Sequence, residues 1–330
     1  MASRYALVRG SSLSAAACIT FAMLATPARA DEGGASIYLL GSGAPNSAVQ
    51  PPLRGLYLDD TVYVYDGSAG AQRNFLINGK LVANVHATIV ADFYTALWVP
   101  STNFLGGTLS LGGAMPVAAP MIDASAVLNG PNGQALGVQK HDSTLAIGDP
   151  LAMASLGWKS GKLNVAVSGF ANIPVGYYRE GQLANIAFHR WAGDASLAAS
   201  WHDEESGWDI SGKVGFTFNG TNDVTDYTSG TDLHFEAGIE KALNKKFSIG
   251  ALGYYFQQIS DDSGSGATLG GFRGRVAALG GTIAYNTVLG RAPSTFRVRL
   301  VQEFDAQNRL EGTGGFLSLT LPLSMKMPGH

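Results

Sequence analysis

Ionisable side chains in this sequence recur at every second position of segments that are otherwise apolar. In the segment at 231–242, one parity carries the polar residues Asp232, His234, Glu236 and Glu240. The other parity carries the apolar residues Leu233, Phe235, Ala237 and Ile239. A period of two predicts a β-strand with one polar and one apolar face. The chemistry open to such a polar face is hydrogen bonding and charge recognition along a surface.

The same alternation in other segments extends this polar face. If the apolar faces meet lipid, the polar faces line the interior of a barrel. The residues predicted to line this pore are His86, Asp92, Lys213, His234, Glu236, Glu240, Arg297, Arg299 and Glu303. Both signs of charge occur in this set, so we expect a wet or salt-bridged lumen without an obvious ion preference.

Catalysis would need a different arrangement of these side chains. A lipid hydrolase needs a Ser or Thr nucleophile beside a His base, at a place that lipid can reach. His86, His202 and His234 all have lumen parity, so none faces lipid in this prediction. The sequence also contains no Gly-x-Ser-x-Gly elbow, no His-Glu-x-x-His motif and no phosphate-binding Walker loop. We therefore predict a protein that is not an enzyme and has no cofactor and no catalytic metal.

The predicted architecture is all-β, a transmembrane antiparallel up-and-down β-barrel of about 12 strands. The mature chain has no convincing amphipathic helix to cover the apolar faces, and in hydrocarbon only a closed barrel pairs every backbone group of a sheet. A large soluble sandwich is the alternative. The predicted strands are at 55–66, 81–98, 103–117, 145–158, 162–174, 190–202, 207–219, 231–242, 246–259, 274–288, 294–304 and 313–325.

The connections between these strands alternate in length, which is typical of bacterial outer-membrane barrels with short turns at one rim and long loops at the other. The predicted long connections are 67–80, 118–144, 175–189, 220–230, 260–273 and 305–312. The predicted short ones are 99–102, 159–161, 203–206, 243–245 and 289–293. An even number of strands returns the C-terminus to the periplasmic side.

Three regions precede or form the barrel. Residues 1–30 have the basic start, apolar centre and small-residue cleavage site of a signal peptide. Residues 31–54 are predicted to be an irregular lead-in, which could enter the barrel as a plug or remain a disordered periplasmic tail. Residues 55–330 are the predicted barrel. The one cysteine, Cys18, lies in the signal peptide, so the mature chain has no disulfide.

Composition agrees with this division. Glycine occurs 43 times among 330 residues, which suits tight turns and closely approaching strands. The formal net charge is −3, and the mature chain is more acidic because the signal peptide carries arginines and no acidic residue. A basic surface for nucleic acid is therefore not indicated.

Six short motifs follow one another along the chain: Asn172-Ile-Pro-Val-Gly-Tyr-Tyr, Leu183-Ala-Asn-Ile, Gly215-Phe-Thr-Phe-Asn, Thr225-Asp-Tyr-Thr-Ser-Gly, Gly253-Tyr-Tyr-Phe-Gln-Gln and Asp261-Asp-Ser-Gly-Ser-Gly-Ala. In this order they resemble an outer-membrane protein family labelled for the MetA pathway of phenol degradation. The resemblance covers roughly Asn84 to Leu323. It implies a porin-like barrel in the outer membrane of a Gram-negative bacterium, transporting small organic compounds, with aromatic compounds as candidates.

Two loop regions carry these motifs and have alternative interpretations. The stretch 174–190 could fold inward as a substrate-selecting constriction formed by Tyr177, Tyr178, Arg179 and Asn185, or it could pack externally on its neighbours. The aspartates at 223, 226, 261 and 262 could bind a divalent cation or serve as solvated turn residues.

The function that we expect is passive or facilitated uptake of small organic, aromatic or hydrophobic compounds through the outer membrane. The expected partners are outer-membrane lipid and lipopolysaccharide, the barrel assembly machinery and the small organic substrate. One alternative is a structural or surface-display barrel without transport. The other, less favoured, is a barrel lipid hydrolase.

Overall fold

The computed structural model describes residues 32–69, 74–129 and 135–325, and these form a closed antiparallel barrel of 12 strands. The predicted signal peptide at 1–30 lies outside the described residues. The barrel strands are β1 (Gly55–Ser68), β2 (Lys80–Phe104), β3 (Gly107–Asn129), β4 (Leu151–Ser160), β5 (Leu163–Asn172), β6 (Ala192–Asp203), β7 (Trp208–Asn219), β8 (Asp232–Ala242), β9 (Phe247–Gln258), β10 (Arg275–Leu289), β11 (Ala292–Gln307) and β12 (Glu311–Met325).

Each strand pairs with its neighbours in sequence, and the ring closes where the first strand meets the last. Gly55 of β1 pairs with Met325 of β12 on one side and with Val99 of β2 on the other. Closure removes the free sheet edges whose unpaired N–H and C=O groups would be costly in lipid. The prediction of an all-β, up-and-down barrel is confirmed.

All of the predicted strands are present, but the bounds of two connections around β3 were wrong. Strands β2 and β3 extend well beyond the predicted ends, so the expected short connection at 99–102 is strand. The actual turn is at Leu105 and Gly106, which both have positive φ (49° and 77°), as a tight two-residue hairpin requires. The expected long connection at 118–144 is largely a hairpin extension, because Ala135–Ser143 pairs with the end of β3.

The remaining short strands belong to the loops. Asn74–Ile77 pairs with the start of β2, Ala146–Ile147 pairs with β3, and Thr221–Asn222 pairs with Tyr227–Thr228. A 3-10 turn at Glu32–Gly34 precedes the barrel. The predicted long connection at 305–312 is instead short, since β11 and β12 leave only 308–310 between them. No helix among the described residues is long and apolar enough to cross a membrane.

The two faces of β7 and β8 are sorted as the alternation predicts. Apolar side chains on the outer face are exposed: Ile210, Val214, Phe216, Phe218, Phe235 and Ile239. Polar side chains on the inner face are buried: Asp209, Ser211, Thr217, Asp232, His234 and Glu236. Exposed apolar surface on this scale is unfavourable in water, at roughly 25 cal/mol per Å², and is favourable against hydrocarbon.

Candidate functional site

Residues 32–54, here called the lead-in, run through the interior of the barrel before β1 begins. At the long-loop rim, Gly34 borders the same cavity as Asn78 and Leu310. At the short-turn rim, the Ser110 hydroxyl donates to Gln50 Oε1 over 3.3 Å. The lead-in therefore extends from one rim of the lumen to the other.

The backbone of the lead-in is hydrogen-bonded by side chains on the inner face of β6–β8, which we call the polar wall. Glu236 accepts from Gly41 N–H (2.9 Å) and from Gly43 N–H (2.7 Å). Further along, Asn46 N–H donates to Asp209 Oδ1 (3.0 Å), and Ala48 N–H donates to Ser200 Oγ (3.0 Å). Irregular backbone inside a barrel needs such partners because it has no strand ladder of its own.

Aromatic stacking adds a second attachment of the lead-in. The Tyr38 ring stacks on His234 with ring centroids 3.6 Å apart. Nε2 of His234 lies 2.7 Å from Asp194 Oδ2, and this carboxylate also accepts from the Ser196 hydroxyl over 2.6 Å. Because Ser196 donates to Asp194 and not to His234, these residues lack the hydrogen-bond order of a Ser-His-Asp triad. The cluster holds the lead-in on the polar wall.

A cavity of about 320 Å³ lies on the other side of the lead-in, against the inner face of β2 and β3. We call this face the apolar wall; it consists of Val85, Ala87, Ile89, Ala91, Phe93, Pro116, Ala118, Pro120 and Ile122. The lead-in contributes Ile37, Leu39 and Leu40, and the loop 173–191 contributes Ile186, Ala187 and Phe188. The apolar cavity has the size and lining of a small-molecule site.

A second cavity, of about 380 Å³, lies nearer the short-turn rim and is lined by Lys213, Arg297 and Arg299. Arg297 donates to both carboxylate oxygens of Glu240. Residues 37–39 of the lead-in border both cavities, as do Phe93 and Leu151 of the barrel wall. The lead-in therefore lies between the apolar cavity and this second cavity, which we call the cationic cavity.

Most residues that the sequence assigns to the pore do lie on the inner face, among them Lys213, His234, Glu236, Glu240, Arg297, Arg299 and Glu303. The assignment of His86 and Asp92 to the lumen differs from their place in the structure. Their apolar neighbours Val85 and Phe93 line the cavity, so His86 and Asp92 have the outward parity. His86 is 45% exposed and lies 3.4 Å from Asp66.

The error on β2 has a physical reason. Its two faces carry mixed residue types, because Val90, Tyr94 and Trp98 are exposed on the same parity as Asp92. Sorting faces by polarity assumes that the lumen is polar all round. Here the apolar wall faces a cavity, so the polar residues of β2 could not be used to identify its inner face.

The predicted constriction loop covers the apolar cavity, but with other residues than those expected. Of the predicted set, Asn185 lines the cavity. Tyr178 stacks on His189 with centroids 4.6 Å apart, and Arg179 lies over the Tyr177 ring at 5.3 Å. The loop is held down by Asp142, which accepts from Leu183 N–H over 2.7 Å.

Sequence reasoning missed two buried arginines of the apolar cavity, Arg190 and Arg309. Each lies where a loop meets a strand, outside the alternating pattern on which the prediction depended. The signal that could have found them is their position: a charged residue beside an apolar strand end, with no acidic residue next to it in sequence.

Two of the acidic loop residues have partners in the loops at 220–231 and 259–274. Asp226 accepts from Ser265 N–H (2.9 Å) and from its hydroxyl (2.6 Å), and these donors lower the pKa of Asp226. Asp261 pairs with Arg273 at 2.8 Å. In the described ranges, no group of three or more His, Cys, Asp or Glu residues is arranged to hold a metal ion.

Comparison with known families identifies the chain. A family profile described as "Putative MetA-pathway of phenol degradation" matches residues 71–319. This match covers most of the chain, and the chain belongs to this family. The resemblance read from the motifs is thereby confirmed. No curated protein sequence matches the chain.

A solved bacterial structure shows the same fold. An outer-membrane channel of Pseudomonas putida F1 superposes with a TM-score of 0.63 at 15% identity, over 84% of this chain and 98% of that chain. The translocator domain of the autotransporter NalP of Neisseria meningitidis has a TM-score of 0.46 at 8% identity, over 84% of this chain and 91% of that one. A FadL homologue of Pseudomonas aeruginosa has a TM-score of 0.41 at 12% identity, over 90% and 98%. The protein is a barrel of the bacterial outer membrane.

Proposed function

We propose that this barrel is an outer-membrane channel for the passive or facilitated uptake of small organic compounds with an apolar, preferably aromatic, body. The observation that carries the proposal is the apolar cavity of about 320 Å³ inside the lumen. An aqueous porin needs no apolar site on its path, whereas a channel that collects hydrophobic compounds does. The family description and the fold shared with a Pseudomonas putida channel support the same function.

The lead-in acts in this proposal as a movable plug. It occupies the space between the apolar cavity and the cationic cavity, and residues 37–39 border both. A compound that enters at the long-loop rim binds in the apolar cavity, and its onward passage requires the lead-in to shift. Individual hydrogen bonds contribute only about 0.5–1.5 kcal/mol each, or up to about 3 kcal/mol to a charged group, so such a shift is energetically accessible.

The division of the chain follows from this mechanism. Residues 1–30 direct export, residues 31–54 form the plug and residues 55–330 form the barrel wall. We also propose that the predicted pore residues on the polar wall hold the plug, while the residues of the apolar cavity select the compound.

The test is planar-bilayer conductance of the refolded mature protein, with and without phenol, benzoate or a long-chain fatty acid in the bath. We expect discrete current steps that an aromatic compound reduces at millimolar concentration. Folding is checked by the heat-dependent change in gel mobility of barrels. Folded protein with no conductance, and no response to any of the compounds, would contradict the proposal and favour a display barrel.

A further inference from the structure

The apolar cavity contains two arginines that are buried without an acidic partner. Arg309 is 8% exposed and Arg190 is 2% exposed. Within the described ranges, no carboxylate oxygen lies within 4.0 Å of either guanidinium group. Burying a charge without a partner is costly, because water is lost and nothing replaces it. The cavity therefore holds two guanidinium groups that form no ion pair with a described residue.

Both guanidinium groups have N–H donors that are unused. Nη1 of Arg309 and Nη2 of Arg190 are buried and have no hydrogen-bond acceptor among the described residues. The guanidinium group of Arg309 lies over the Phe256 ring, with Cζ 4.1 Å from the ring centroid. Arg190 donates from Nε to Asn219 Oδ1 over 3.3 Å. Each arginine is therefore held in place by other groups and still has donors to offer.

The carboxylates of the same cavity are occupied by uncharged donors. Glu303 accepts from the hydroxyls of Tyr254 (2.8 Å) and Tyr65 (2.7 Å) and from Gly312 N–H (3.0 Å). Asp149 accepts from Gly176 N–H (2.9 Å), from the Asn172 side-chain amide (3.0 Å) and from Phe188 N–H (2.9 Å). The cavity thus offers a ligand unpaired donors, while its acidic oxygens already have partners.

We infer that the apolar cavity binds an organic monoanion, with an apolar ring or chain against β2 and β3 and a carboxylate on the free donors of Arg309 or Arg190. This inference rests on the proposed uptake function and names the class of compound that the same site selects. A carboxylate matches the planar donor fork of arginine and supplies the ion-pair partner that neither guanidinium group has among the described residues. A neutral hydrocarbon would leave both guanidinium groups unpaired.

Arg309 is the better placed of the two to select the ligand. It lies in the short connection at 308–310, and Leu310 beside it also lines the cavity. Its backbone is close to the lead-in, since a Cβ built on Gly34 would lie 3.4 Å from Arg309 Cα. An anion on Arg309 would therefore sit next to the end of the segment that blocks the lumen.

The test compares benzoate with benzamide, which have nearly the same shape but differ in charge. Binding is measured by isothermal titration calorimetry on the refolded full-length mature protein in a non-ionic detergent at neutral pH. We expect benzoate to bind about tenfold more tightly than benzamide, the range given by a hydrogen bond to a charged group. In Arg309→Gln this ratio should fall to about one, with benzamide affinity unchanged, whereas Arg309→Lys should keep part of the preference.

Control variants make each outcome informative. Arg291→Gln removes an exposed arginine at the short-turn rim and should leave the ratio unchanged. Arg190→Gln tests the second arginine in the same way, and remains available if Arg309→Gln fails to fold. Benzamide binding as tightly as benzoate would overturn the anion site and leave the uptake proposal intact. Folded protein that binds neither compound overturns the site, and if it also lacks conductance the uptake function fails with it.

Discussion

The polar wall and the apolar wall of the lumen are both formed by antiparallel barrel strands, but they differ in their contacts with the lead-in. On the polar wall, Glu236 binds two backbone amides of the lead-in and His234 stacks on Tyr38. On the apolar wall, alanine, valine and proline side chains leave a cavity of about 320 Å³. Hydrogen bonds fix the lead-in on one side and free space remains on the other. The difference indicates one wall for holding the plug and one for the ligand.

The largest effect on conductance is expected from removing the lead-in that the polar wall holds. Deletion of residues 36–50 takes away the segment between the two cavities, while strands β1 to β12 stay complete. We predict a several-fold higher single-channel conductance in planar bilayers, because ion flow rises with the open cross-section of the pore. The heat-dependent gel mobility should remain that of a folded barrel. An unchanged conductance would mean that the lead-in does not limit the pore.

The next effect is expected from filling the apolar cavity. Ala118 of β3 is buried and lines the cavity, whereas its neighbour Ala119 has the outward parity. We predict that Ala118→Phe lowers the sensitivity of the conductance to phenol by about tenfold, because one aromatic side chain takes the place of the bound ring. Ala119→Phe adds the same group on the lipid side and should behave as the wild type. Equal effects of the two substitutions would show that the apolar wall does not bind the compound.

A smaller effect is expected from weakening the polar wall at one residue. Glu236→Ala removes the acceptor of both Gly41 N–H and Gly43 N–H. Each lost bond to a charged acceptor contributes about 1.5–3 kcal/mol, and Asn46, Ala48 and Tyr38 still hold the lead-in. We predict more frequent openings without a larger conductance level.

The matched control for this substitution is Glu204→Ala, which removes an exposed carboxylate at the short-turn rim that pairs with Lys159. It should leave the gating unchanged. Identical open probabilities for Glu236→Ala and wild type would show that Glu236 does not hold the plug.

The strands were predictable because lipid imposes a simple rule on the outer face. On β7 and β8 the apolar residues face outward and Lys213, His234 and Glu236 face inward, as alternation alone indicates. The rule failed on β2, where the inner face is also apolar and His86 and Asp92 were assigned to the wrong side. Alternation of polar and apolar residues indicates that the two faces of a strand differ, but it does not indicate which face contacts lipid and which faces the lumen.

The sequence predicts an irregular lead-in and leaves open whether it is a plug or a tail. Its path through the lumen and the two arginines could not be predicted, for another reason. The sequence from 31 to 54 has no periodic pattern. The place of residues 32–54 is determined by contacts with residues distant in sequence, such as Gly41 with Glu236. Arg190 and Arg309 reach the cavity from loops. The conformation of a loop depends on how the strands that it connects are placed, and the local sequence does not determine that placement. The chain thus encodes its wall locally and its binding site through long-range contacts.

The central claim, that passage requires the lead-in to move away from the polar wall, can be tested by fixing it there. A Cβ built on Gly238 of β8 lies 3.2 Å from Pro45 Cβ, so a shift of the lead-in away from this strand by a few tenths of an ångström brings the pair to the Cβ–Cβ separation of about 3.5–4.5 Å in a disulfide. The only natural cysteine, Cys18, is in the signal peptide, so the double variant Pro45→Cys, Gly238→Cys carries one defined pair. We predict that the oxidised protein is closed in planar bilayers, and that reduction restores conductance and its block by phenol to the levels of the two single-cysteine variants. Full conductance and block in protein whose disulfide has been verified by mass spectrometry would contradict the claim.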